Sequence, residues 1–237
     1  IWKQASSNFK VVSASAQMQG ENAVVEAQYA LPAGNTFGVK YVVSPSGAVH
    51  VQFHFAAVTE GESKNKNVPR IGVRFRMPVE MNNVQYYGRG PEENYIDRNH
   101  GTLVGLYSAL ADDMKFDYVR PQECGHHTDT RWLKLGTKKG KGLMIVADET
   151  LEFNALRNSV EDYDSENNIN RPRQWTNRSA EEIANRNDDE VKNKMRRQTH
   201  INDITPRNFV EVCIDAKHSG VGGYDSWGAI PEKYSLI

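Results

Sequence analysis

The sequence predicts an all-β fold, a large antiparallel β-sandwich. Two observations carry that expectation. Apolar and polar side chains alternate with a period of two through several short runs, and Gly, Pro, Asn and Ser clusters separate those runs. Helical periodicity is nearly missing from the 237 residues, and many short strands between regular turns characterise sandwiches.

Residues 23–31 and 36–43 are the first predicted strands. Leu31-Pro32-Ala33-Gly34-Asn35 joins them, its Pro and Gly supplying turn geometry. Ser44-Pro45-Ser46-Gly47 leads to a third strand at 49–55, where Val49, Val51, Phe53 and Phe55 alternate with His50, Gln52 and His54. His50 and His54 have ligand spacing for a helix, but on a strand they make only a weak metal signal. Ile71, Val73, Phe75 and Met77 alternate with Arg70, Gly72, Arg74 and Arg76 in the same way. Further strands are expected at 142–147 and 209–214.

Segment 164–208 breaks the pattern, being rich in Asn, Arg, Glu and Asp. Inside it Ser179-Ala180-Glu181-Glu182 forms a capping box. Ile183, Val191 and Met195 continue as a thin apolar stripe, which predicts a short helix near 179–197. The favoured reading is a solvated insertion resting on the sandwich, and the alternative is a contact arm to another domain or subunit. The glycosylation sequon Asn177-Arg178-Ser179 carries little weight without a sign of secretion.

The chain has 29 Lys and Arg against 30 Asp and Glu, a net charge of -1. That balance gives no electrostatic reason to bind nucleic acid or an anionic membrane. No apolar run approaches the roughly 18 residues of a spanning helix. Cys124 and Cys213 are expected as two buried thiols rather than a disulfide. Residues 1–237 read as one domain, cut at both ends, with 164–208 inserted.

Three dense segments could carry chemistry. Tyr86-Tyr87-Gly88-Arg89-Gly90-Pro91-Glu92-Glu93-Asn94-Tyr95-Ile96-Asp97-Arg98 mixes aromatics, acids, Arg and turn residues as no periodic element does. Its polar groups can tie a compact loop with charge-assisted hydrogen bonds. Tyr118-Val119-Arg120-Pro121-Gln122-Glu123-Cys124-Gly125-His126-His127-Thr128-Asp129-Thr130-Arg131-Trp132 is similar in kind. Gly220-Val221-Gly222-Gly223-Tyr224-Asp225-Ser226-Trp227 places one large ring on a glycine-rich loop, as a sugar platform or a core plug. Glycosidases need two carboxylates flanking a sugar. Glu92, Glu93, Glu123, Asp129 and Asp225 are the candidates, and none can be paired across a cleft from sequence. Hydrogen bonding within the loop is the favoured role for Glu92 and Glu93. His126-His127 beside Asp129 fits no standard metal spacing.

Together these segments resemble the C-terminal domain, or small chain, of the glycoside hydrolase family 2 β-galactosidases. The first matches that family's pattern at Tyr87, Gly88, Gly90, Pro91, Glu93, Asn94, Tyr95, Asp97 and Arg98. The second matches at Pro121, Glu123, Gly125, Asp129, Arg131 and Trp132, and the third ends at Asp225 and Trp227. The resemblance implies a supersandwich related to galactose mutarotases. It also implies a bacterial parent that hydrolyses terminal β-D-galactose with retention, its two catalytic glutamates lying in a (β/α)₈ barrel elsewhere. No catalytic residue is then expected in this chain, which should be inactive alone. Trp227, with Tyr224 and Asp225 beside it, is expected to contact the sugar. Any Mg²⁺ or Na⁺ would be bound by other domains, so no cofactor or metal is expected here. The expected partners are those domains, β-galactosides and copies of the parent, with neither nucleic acid nor membrane among them. Cys124 and Tyr224 depart from the family's common Asn and Asp, and 164–208 is longer than the usual link. Two alternatives remain. One is an autonomous mutarotase-like enzyme using His100, His126 and Glu123. The other is a carbohydrate-binding module built on Trp227 and Tyr224.

Overall fold

The computed structural model describes residues 2, 8–57, 68–163 and 201–223. The predicted helix near 179–197, most of segment 164–208, and Tyr224, Asp225 and Trp227 lie outside the described residues. The all-β, antiparallel fold class expected from the sequence is the one found. The chain divides into two compact units, Ile1–Gly72 with Asp215–Ile237, and Val73–Ile214.

The first unit holds a four-stranded antiparallel meander of β1 (Lys10–Gln19), β2 (Asn22–Ala30), β3 (Thr36–Val43) and β4 (Val49–Ala56). Its register aligns Val11, Tyr29, Phe37 and Phe55 in one row, and Ala14, Ala27, Val39 and Phe53 in the next. One face is therefore apolar through all four strands, as period-two alternation requires. Phe37 packs between Tyr29, tilted against it at 6.4 Å, and Phe53, stacked on it at 6.0 Å. On the other face Lys40 pairs with Glu26 at 2.8 Å, next to a row of Val24 and Val42. His50 and His54 project on that side with Gln52, away from the aromatic rows. β1 was not expected: its Ser-Ala-Ser-Ala core offers little apolar contrast, and all ten of its residues are exposed.

The six-stranded sheet runs β5-β10-β9-β8-β6-β7. These strands are β5 (Arg70–Pro78), β6 (Asn83–Gly90), β7 (Leu103–Leu110), β8 (His126–Gly136), β9 (Gly142–Leu156) and β10 (Phe209–His218). Its core gathers Val84, Tyr86, Leu133, Leu135, Phe153 and Val212, each almost wholly buried. Burying each such side chain contributes about 1.5–3 kcal/mol. Cys124 and Cys213 are free and buried, as expected.

Two differences from the sequence reading matter for the site. Residues 86–90 are not loop but the end of β6. Their alternation puts Tyr86, Gly88 and Gly90 inward and Tyr87 outward. Glycine hides the pattern because the inward positions have no room: a Cβ on Gly88 would lie 2.9 Å from the Thr130 Cα. β9 also continues nine residues beyond the predicted end at 147, through the polar Asp148-Glu149-Thr150. From Leu151 to Leu156 every residue of β9 is buried.

Opposite that stretch, β8 shifts register between His127 and Thr130, and again before Trp132. Asp129 occupies the left-handed region at φ 52°, a conformation that Asp tolerates better than most residues. Such bulges re-aim side chains. Before the shift His126, His127 and Thr128 are all buried; after it Leu133 points inward and Trp132 outward.

Candidate functional site

The first two dense segments meet. Asn94 is fully buried, and all its side-chain polar capacity is used. Its Nδ2 donates to the carbonyls of Arg89 at 3.1 Å and Glu92 at 3.0 Å. Its Oδ1 accepts from the Thr128 N–H at 2.9 Å and the Thr128 hydroxyl at 2.6 Å. The Asn94 N–H donates to the His126 carbonyl at 2.7 Å. One side chain thus closes the loop after β6 onto the start of β8. The Gly90–Pro91 bond within that loop is cis.

Glu93 works beside it. Its Oε2 accepts from the Gly125 N–H at 2.6 Å, and its Oε1 accepts from Arg98 Nη2 at 2.9 Å and from the Tyr118 hydroxyl. The Arg98 guanidinium lies 4.8 Å from the Tyr95 ring centre, and Tyr95 stacks on His126 at 5.1 Å. Burial first, then the bond to the Glu93 carboxylate, pushes the Tyr118 phenol up to about 12. Burial likewise pushes the Cys124 thiol up to about 12, so it stays protonated and unreactive at neutral pH.

A third cluster surrounds His126, which has no exposed surface. Its Nδ1 lies 2.8 Å from Asn154 Oδ1, and its Nε2 lies 3.1 Å from Glu152 Oε2. Asn154 Nδ2 donates to Glu123 Oε1 at 2.9 Å and to the Cys124 carbonyl at 2.8 Å. With its amide so committed, Asn154 presents an acceptor to His126, which requires a proton on Nδ1. The Nε2–Glu152 contact gives both buried groups a polar partner. Glu123 and His126, the pair considered for a mutarotase-like reaction, are therefore linked through Asn154, but His126 is sealed from solvent. His100 sits apart, exposed in the turn before β7.

His127 is equally enclosed. Its Nδ1 lies 3.1 Å from the Arg89 carbonyl and 3.2 Å from the Tyr86 hydroxyl, and its ring stacks on Phe153 at 5.1 Å. Burial first, then neighbouring His126, lowers its pKa to about 4, against opposition from the Arg89 carbonyl. Because the folded value lies below the ordinary one of about 6.5, the unfolded chain binds a proton that the folded chain refuses between those values. Stability is then complete above about pH 6.5 and falls as the pH drops toward 4, losing about 2 kcal/mol from about pH 7 to about pH 5. Urea melts at the two pH values are expected to show this fall, and His127→Asn is expected to flatten it. An equal fall in both proteins would contradict the assignment.

Of the residues expected to matter, the structure brings Gly88, Gly90, Pro91, Glu93, Asn94, Tyr95, Arg98, Glu123 and Gly125 into one polar brace. Pro121 is buried close by in sequence, and Asp97 is partly buried in the loop. Arg89 ties in Asp129 at 2.5 Å and the Thr102 carbonyl at 2.7 Å. Tyr87, Arg131 and Trp132 face the opposite way, out of the brace. Sequence reasoning missed Asn154 and Glu152, and it named Thr128 and Tyr118 only as members of the second dense segment. The signal for the first two was available: polar residues alternate with Leu151, Phe153 and Ala155 in an otherwise apolar run. The third segment is described only as far as its glycines, where Gly220, Gly222 and Gly223 take φ of 80°, 63° and 76°. Only glycine adopts that sequence of angles without strain.

Known proteins similar to this chain are β-galactosidases. A β-galactosidase of Priestia megaterium is 28% identical over 234 residues, covering 96% of this chain and 19% of the relative. One from Streptococcus thermophilus is 27% identical over 231 residues, again 96% and 19%. The β-galactosidase BgaC of Bifidobacterium adolescentis is 34% identical over 148 residues, 61% of this chain and 14% of the relative. The chain thus spans less than a fifth of the length of these curated relatives. Since the beta galactosidase small chain family matches all of residues 1–237, the chain belongs to that family.

Proposed function

We propose that residues 1–237 are the C-terminal β-sandwich domain of a retaining β-galactosidase that hydrolyses terminal non-reducing β-D-galactose. The observation that carries this reading is the whole-chain family match combined with partial coverage of much longer β-galactosidases. In this reading the two catalytic glutamates reside in a barrel elsewhere in the parent, which also binds any Mg²⁺ or Na⁺ the reaction uses. The chemistry of the brace supports that division. Glycoside hydrolysis needs two carboxyl groups facing a sugar, about 5–10 Å apart. Glu93 is occupied by three donors and Glu123 by Asn154, so both serve structure. This chain supports its neighbours, and Trp227 offers a ring to the bound galactoside, with Tyr224 and Asp225 at the rim. The partners are the parent's other domains, β-galactosides and copies of the parent, without nucleic acid or membrane.

In the complete parent, Trp227→Ala is expected to raise KM for a galactoside several-fold, as a ring–sugar contact worth about 1 kcal/mol is lost. The thermal midpoint should hardly move. A melt lowered by several degrees with KM unchanged would instead make Trp227 a core plug.

A further inference from the structure

The two aromatic motifs have an outward side that the brace does not use. The register of β7, β6, β8 and β9 sets Leu106, Tyr87, Trp132 and Val146 in one row across four strands. Leu106 is 69% exposed, Val146 66%, Met144 57% and Tyr87 41%. Met144 lies one row along, paired with Lys134. The Arg131 guanidinium sits 5.8 Å from the Tyr87 ring centre, over its face. Contiguous apolar patches of this kind mark interaction sites on soluble domains. Tyr, Trp, Met and Arg are the residues enriched at interface centres. Aliphatic Leu106, Val146 and Met144 around the rings suit a protein surface better than a sugar, whose hydroxyls need polar groups at the rim of a stacking ring.

We propose that this face docks the domain onto another part of its own parent polypeptide, at an apolar patch with acidic residues placed to meet Arg131 and Lys134. The proposal rests on the reading that the chain is one portion of a longer β-galactosidase. Spanning 19% of a relative's length leaves about four fifths of such a protein to supply the opposing surface. Charge argues against a second copy as the occupant. Two such faces packed together would put the Arg131 and Lys134 charges of both copies into one interface, and like charges across an interface are costly.

The test places the photo-crosslinking residue p-benzoylphenylalanine at Leu106, and separately at Met144, in the full-length parent. The second site guards against disturbance of the contact or the fold by the larger side chain at the first. After irradiation the linked peptides are identified by mass spectrometry, and galactoside hydrolysis is assayed on the same preparations. Links from both positions to peptides outside residues 1–237 of the same chain are the expected result. Links to residues 1–237 of a second copy, capture of an added galactoside derivative instead, or no link at all would overturn the proposal. The hydrolysis assay separates the two claims. A parent that cleaves galactosides without such links defeats the docking surface alone, whereas a linked parent without hydrolysis defeats the functional reading.

Discussion

Asn94→Ala is expected to lower the unfolding free energy of the chain by about 3 kcal/mol or more, since buried hydrogen bonds are worth about 1 kcal/mol each and orphaned partners cost more. Asn94 has no exposed surface and makes four side-chain bonds. Truncation strands the Thr128 N–H and the Glu92 carbonyl, and it removes one of two partners from the Thr128 hydroxyl, which keeps Asn99, and from the Arg89 carbonyl, which keeps His127. Asn94→Asp keeps the two bonds from Thr128 but turns a carboxylate oxygen toward two carbonyls, so it too is expected to destabilise. Urea denaturation followed by circular dichroism measures both. A loss below about 1 kcal/mol for Asn94→Ala, the value of a single bond, would show that the brace does not hold the fold.

Gly125→Ala carries the second large effect. Gly125 sits at φ 70°, and an added Cβ would lie 2.6 Å from the Met114 carbonyl and 2.7 Å from a Leu156 methyl. Its N–H is also the donor to Glu93, so any backbone shift that relieves the clash strains the acid's other bonds. The left-handed conformation costs about 1–2 kcal/mol for alanine, and overpacking adds about 1–3 kcal/mol. Gly140→Ala is the internal control. It shares the positive φ, at 84°, but has nothing within 4 Å of its Cβ position. Gly140→Ala should therefore lose only the conformational part. Equal losses at both positions would mean that crowding at Gly125 contributes nothing.

The strands legible in the sequence were those with strong contrast. Val49 through Phe55, and Ile71 through Met77, alternate large apolar residues with charged or polar ones, and both are strands. β1 escaped because Ala against Ser barely differs in transfer free energy. β6 and β8 escaped for another reason. Glycine replaces the inward apolar residue at Gly88 and Gly90, where packing leaves no room, and the bulge around Asp129 breaks the period in β8. The site divides in the same way. That Glu93 and Arg98 tie the loop together was readable from their density, and their bond is found. That Asn154 reaches back from β9 to join Glu123 with His126 was not readable, because strand pairing brings residues about thirty positions apart together and no local pattern encodes it. The division of the motifs into an inward brace and an outward row of Tyr87 and Trp132 follows from register alone, which one sequence does not specify.

Galactoside hydrolysis by the purified 237-residue chain, compared mole for mole with its full-length parent, is the most direct test of the proposed division of labour. The parent should turn over the substrate, while the chain alone should show no rate above the uncatalysed background. Substantial turnover by the chain alone would contradict it and place a working pair of carboxylates within these residues.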